Sequence, residues 1–169
     1  MNLSSKLFKG GIILLALSNF SAFAETGKAY LSTLIGLSDS LEWRFSIRLA
    51  FNPSSGNYGR VYLLADTSDL SDISNGYYLQ FGEARSDDAI ELFYKQDTIL
   101  ESVCRGTTGK ISSAFDIDVW VTYRSSGQWK VAVDWDKNGN FINECNGQNH
   151  ATSIYPFFGF YCSFTNSNK

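Results

Sequence analysis

From Glu42 to Phe51 the chain is apolar at every odd position (Trp43, Phe45, Ile47, Leu49, Phe51), while Glu42, Arg44, Ser46, Arg48 and Ala50 fill the even ones. A period of two sends successive side chains to opposite faces of an extended backbone, so this run buries one face only as a β-strand. Asn52 to Tyr58 follows as a turn-rich segment, and a second apolar run, Val61 to Ala65, comes next. The pattern then repeats. Strands are predicted over 76–82, 89–95, 116–124, 129–135, 141–143 and 157–164, with turn residues such as Ser125-Ser126-Gly127 and Asp136-Lys137-Asn138-Gly139-Asn140 between them. Aromatic residues make up 15% of the chain and the only Met is Met1. Beyond the first 24 residues no segment sustains a 3.6-residue period. Many short alternating runs punctuated by turns specify an antiparallel sandwich with little helix.

The N-terminus reads as an export leader. Lys6 and Lys9 precede the apolar stretch Gly10 to Leu17, and Ala22-Phe23-Ala24 supplies the small-x-small pattern of a cleavage site, so residues 1–24 are expected to be a signal peptide cut before Glu25. The apolar stretch is well short of the roughly 20 residues a membrane-crossing helix needs, so no stable span is expected in the mature chain. Residues 25–169 are then one domain, expected to be secreted or held at a cell surface. Removing the leader leaves twelve basic residues against seventeen acidic ones, a net charge of −5. That balance disfavours a nucleic-acid partner, since no basic face remains to neutralise phosphates.

Cys104, Cys145 and Cys162 all fall in the exported part, where disulfides form. Cys145 and Cys162 sit in neighbouring apolar runs and are the preferred pair, with Cys104 left over. A metal site is disfavoured, because there is no Cys-x-x-Cys and His150 is the only histidine. Asp134, Asp136 and Asn138, followed by Gly139 and Asn140, match the first half of a calcium loop. The twelfth position, where a bidentate Glu belongs, is Cys145, and Glu144 falls one residue short. Asn-Gly between alternating runs is also a strong hairpin signal, and the hairpin is the preferred reading. No cofactor is expected.

Sandwich glycosidases place two carboxylates across the scissile bond. Asp116 and Asp118 share a face but lack a third acid, and Asp87-Asp88 precedes a strand, so these are read as solvated turn and edge charges. His150 has no nucleophile motif around it. No catalytic residue is assigned. Trp120 stands out instead. Ile117, Val119, Val121 and Tyr123 take the core parity, which leaves Trp120 on the outer face with Asp118 and Thr122, where an indole can stack on a sugar ring. Tyr78 and Gln80 have a comparable outward parity, and Trp120, Tyr78 and Gln80 are the candidate ligand-binding residues. The competing reading is that a loop or further strands cover this face. Trp43, Trp129 and Trp135 are assigned to the core.

An ordered series of short motifs adds to this. Glu42-Trp43-Arg44-Phe45, Phe51-Asn52-Pro53-Ser54-Ser55, Asn57-Tyr58, Arg60-Val61-Tyr62-Leu63, Asn75-Gly76-Tyr77-Tyr78, Gly82-Glu83 and Ser86-Asp87-Asp88 are followed by Arg105-Gly106-Thr107, Trp129 and Phe158-Gly159-x-Tyr161-Cys162. The series resembles an N-terminal module of large secreted bacterial surface proteins, which often carry lamin-tail domains further on. The resemblance implies a jelly-roll sandwich of the concanavalin A-like lectin and glucanase type. Members of that family have further strands before the segment matching Ala29 to Thr33 and a final strand after the position of Lys169, so the chain reads as a shortened copy with open sheet edges. The expectation is a non-enzymatic module that binds a glycan or another surface protein. The alternatives are a structural spacer within a larger surface protein and, less favoured, a glycoside hydrolase-like domain.

Overall fold

The computed structural model describes residues 20–25, 27–50, 52–83, 87–149 and 155–165. Most of the leader, Phe51, Ser86 and His150 lie outside the described residues. Eleven strands and no helix occur among those described: β1 (Phe20–Glu25), β2 (Lys28–Leu34), β3 (Ser40–Leu49), β4 (Tyr58–Ala65), β5 (Asn75–Phe81), β6 (Ile90–Gln96), β7 (Ile99–Arg105), β8 (Phe115–Arg124), β9 (Gln128–Asp134), β10 (Ile142–Gln148) and β11 (Phe157–Ser163). No helix among them is long and apolar enough to cross a membrane. The expected cleavage point before Glu25 falls inside β1.

The strands form two antiparallel sheets packed face to face, as the alternation demands. One has seven strands in the order β1-β2-β11-β4-β5-β6-β7, and the other has four in the order β10-β9-β8-β3. This is the all-β jelly-roll sandwich anticipated from the sequence. Leu41, Trp43, Ile47 and Leu49 of β3 are buried, with Arg44 and Arg48 on the opposite, exposed face. Their partners across the core are Val61, Leu63, Leu79, Phe81, Ile90 and Leu92 of the larger sheet, and Ile117, Val119, Val121, Val131 and Val133 complete the smaller one. A bulge at the β4–β5 register lets consecutive Leu63 and Leu64 both enter the core. Trp43 and Trp129 stack at 5.9 Å, and Trp129 also meets Tyr77 and Tyr123, each at 4.6 Å. Trp135 packs partly buried against the same core.

Among the departures from the sequence reading, two bear on how the sheets are joined. The first is β7, whose residues are mostly exposed and show no alternation to read. The second is the disulfide. Cys104 and Cys145 are bonded, with Cα atoms 5.7 Å apart, and Cys162 is free. The preferred pairing of Cys145 with Cys162 is therefore wrong. β7 and β10 end their respective sheets and contact each other across the sandwich, whereas β11 is separated from β7 by β4, β5 and β6. Sheet order, which sequence spacing does not reveal, decides the partner.

Candidate functional site

Trp120 lies in the middle of the four-stranded sheet, on its outer face. Register aligns it with Arg44 of β3 on one side and Ala132 of β9 on the other. The next row is Glu42, Thr122, Lys130 and Asn146. The Arg44 guanidinium stacks 4.3 Å from the centroid of the Trp120 ring and is itself held by the Glu42 carboxylate at 2.9 Å. Phe141 meets the ring edge-on at 5.8 Å. The indole is half-buried and its N–H is enclosed without an acceptor. Beside this platform a groove of about 600 Å³ runs over the outer face, lined by Thr122, Arg124, Gln128, Lys130, Asn146 and Gln148 together with parts of Trp129 and Gly147. Hydroxyl, amide, ammonium and guanidinium groups thus share one surface with an aromatic ring. That is the chemistry that holds a sugar: polar groups for its hydroxyls and a ring for its C–H face.

The segment between β9 and β10 closes the lower end of this face. Asp134 is 1% exposed, and its carboxylate accepts the backbone N–H groups of Asn138 at 3.2 Å and Gly139 at 2.6 Å. Asn138 in turn accepts from the N–H of Asn140 at 2.9 Å. Lys137 and Gly139 take positive φ, 54° and 90°, as a tight reversal requires. These oxygens are the ones a calcium loop would use, and here they brace the turn that joins two paired strands. The hairpin reading is the one observed. Among the described residues no three or more His, Cys, Asp or Glu side chains are grouped so as to hold a metal ion.

Acidic side chains do meet on this face, since Asp118 and Asp134 are register partners. Asp118 accepts from the Ser46 hydroxyl at 2.5 Å and lies 3.8 Å from the Lys137 ammonium, which also pairs with Asp116. With Asp134 engaged by two amides, each carboxylate serves the sheet and its turn.

Tyr78 and Gln80 lie on the opposite outer face, that of the seven-stranded sheet, so the structure does not bring them together with Trp120. Tyr78 is only 2% exposed. Its outward parity is as expected, but the β4–β5 connection folds over it. Leu70 and Ile73 of that connection pack with Tyr62, Tyr78 and Tyr161. The connection is pinned by Asp66, which accepts from Asn75 N–H at 2.8 Å, and by the Ser32 hydroxyl donating to the Ser68 carbonyl at 2.6 Å. Gln80 is half-buried, and its Oε1 accepts from Arg60 Nε at 2.9 Å. Burial pushes the Tyr62 and Tyr78 hydroxyl pKa values above the usual 10, with Arg60 pulling the other way. Burial also opposes the Arg60 charge, yet Tyr62 and Tyr78 more than compensate and its pKa is raised.

Sequence parity set Trp120, Asp118 and Thr122 on an outer face and Arg44 on the wet face of its own strand, but not the contacts that join them. Arg44 and Phe141 reach it from other strands and loops. Lys130 and Asn146 join Thr122 through the β8-β9-β10 register. The hairpin signals at 125–127 and 136–140 contain that register in principle, because each tight turn fixes which residues stand opposite.

No family model matches this sequence, and no curated protein matches it in sequence. Its fold does match solved structures. The exoplasmic/lumenal domain of VIP36, in a Ca2+/mannose-bound form, aligns with a TM-score of 0.57 at 10% identity, covering 86% of this chain and 75% of that one. The carbohydrate recognition domain of Emp46p, potassium-bound, gives 0.54 at 14% identity over 86% and 79%. The CBM2 module of the evolved Dit of Lactobacillus casei BL23 phage J-1 gives 0.51 at 10% identity over 88% and 73%. At such identities the shared property is the architecture, and the chain is an all-β jelly-roll sandwich.

Proposed function

We propose that this chain is a non-catalytic, exported module that binds a glycan in the groove beside Trp120. The observation that carries the reading is that groove: about 600 Å³, open to solvent, floored by polar side chains of β8, β9 and β10 and adjoining an aromatic platform. The likeness of the fold to a mannose-bound domain, a carbohydrate recognition domain and a CBM2 module supports it. The engagement of Asp116, Asp118 and Asp134 with Lys137, Ser46 and backbone amides supports a binding role over hydrolysis. The motif series and the leader support an exported module held at a bacterial cell surface as part of a larger protein.

A glycan array followed by calorimetry on the best hit tests this. Trp120→Ala is expected to weaken binding by about tenfold or more, as loss of a stacking ring and of the Arg44 platform implies. Trp120→Phe, which keeps a ring, is expected to retain part of the affinity. Binding that Trp120→Ala leaves untouched removes the site assignment. A well-folded chain that binds nothing on the array favours the spacer reading.

A further inference from the structure

We propose that Arg60, with the tyrosines around it, forms a second binding site on the opposite face of the sandwich from Trp120, one that takes the carboxylate of an acidic sugar. The proposal leans on the glycan reading for the kind of ligand, but not on the Trp120 groove.

Arg60 projects from β4 with its guanidinium carbon 4.9 Å from the Tyr58 ring centroid and 4.8 Å from that of Tyr78. Its Nε donates to Gln80 Oε1 at 2.9 Å, and Nη1 donates to the Tyr62 hydroxyl at 3.4 Å. A guanidinium has five N–H donors. The other three have no acceptor among the described residues, and no carboxylate there lies within ion-pair distance of Arg60. The contrast with its neighbours is informative. Arg44 is paired with Glu42, Lys137 with Asp116 and Asp118, and Arg105 with Glu83 and Glu91. Glu91 is the nearest acid along the cross-strand row Arg60, Gln80, Glu91, Arg105, and both of its oxygens are taken, one by Arg105 and one by the Ser102 hydroxyl at 2.5 Å.

A charge drawn partly out of water without a counter-ion is unfavourable. Two ring contacts offset part of that cost, and they also fix the plane of the guanidinium, leaving its free edge pre-oriented. A planar fork of N–H donors matches a carboxylate in a bidentate pair. Tyr58 and Arg60 each keep part of their surface exposed, unlike the buried Tyr62 and Tyr78. Tyr58, partly exposed and backed by the buried ring of Tyr161 at 6.1 Å, offers the apolar ring surface a pyranose C–H face requires beside its acid group. The chain carries a net charge of −3, which disfavours long-range capture of an extended polyanion and favours a short acidic ligand recognised at close range.

The test uses the full chain and three probes: trigalacturonate, its methyl ester, and inorganic phosphate. Calorimetry is expected to show the acid form binding about tenfold or more tighter than the ester, the usual gain from a charge-assisted pair. Arg60→Gln is expected to abolish that difference, Arg60→Lys to keep part of it, and Trp120→Ala to leave it unchanged. Melting curves identify variants that have not folded. If Arg60→Gln is among them, Tyr58→Leu, which keeps the charge and removes the ring contact, must weaken the acid form selectively. Equal affinity for acid and ester, or full acid preference in folded Arg60→Gln, overturns the proposal. Phosphate binding as tightly as trigalacturonate overturns the sugar-acid assignment in favour of a simple anion site. Absence of neutral-glycan binding in the unsubstituted chain, with the acid preference present, would sink the Trp120 reading alone.

Discussion

Removing the Cys104–Cys145 bridge offers the most quantitative check on the architecture. The bridge spans 41 residues of sequence and joins the last strand of one sheet to the last strand of the other. Closing a loop of that length removes about 13 cal/mol/K from the unfolded chain, or about 4 kcal/mol at 25 °C. For a domain of this size that corresponds to a fall in melting temperature of roughly 8–16 °C on reduction. Thermal and urea unfolding, followed by tryptophan fluorescence with and without reductant, measure it directly. The double variant Cys104→Ser/Cys145→Ser should reproduce the reduced protein, and Cys162→Ser should behave as the oxidised wild type. A shift of less than about 2 °C on reduction would refute the reasoning. So would peptide mapping that joins Cys145 to Cys162.

Three further outcomes are expected. Asp134→Ala, which strips the acceptor from the Asn138 and Gly139 amides, should cost about 1–3 kcal/mol in urea unfolding; a calcium-dependent rise in melting temperature that this substitution abolishes would instead reinstate the cation loop. Leu63→Ala, at a fully buried position between the sheets, should cost about 2–5 kcal/mol, and a smaller effect would mean that the core is not packed as described. Tyr62, Tyr78 and Tyr161 hold their protons more tightly folded than unfolded, burial being the main cause. Unfolded tyrosines release theirs near pH 10, so the stability these groups contribute is intact below pH 10 and is lost as pH rises through their higher folded values. Melting temperature against pH should show the fall, Tyr161→Phe should flatten it, and an unchanged slope in that variant would contradict the assignment.

Where one face of a strand is buried and the other is wet, the sequence announces it, and β3, β8 and β9 are legible for that reason. β7 and most of β10 are not. They are terminal strands with polar, exposed residues such as Glu101, Ser102, Asn143 and Asn146, so neither has a buried face regular enough to show a period. The disulfide was misassigned for the same reason, since its partners belong to those two strands. On the candidate site, parity placed Trp120 on an outer face correctly. Parity also placed Tyr78 outward, but whether an outward residue sees solvent depends on where a loop falls, and Leu70 and Ile73 of the β4–β5 connection carry no local signal that they will lie over it. Arg60 was visible only as one letter of a motif. Its significance comes from which acids are already taken, and that is a property of register.

The bridge between β7 and β10 binds the two sheets along one flank, like the spine of a book. On the other flank β3 ends the smaller sheet, where Phe45 reaches over to Phe160 of β11, and the larger sheet runs on through β2 to β1. Brief openings that admit water between the covers must therefore start at this fore-edge and die away toward the spine. The groove over β8, β9 and β10 sits on the spine side. Its geometry is insulated from that breathing, so a ligand held there would meet a surface that stays shaped while the far margin of the same sheet loosens.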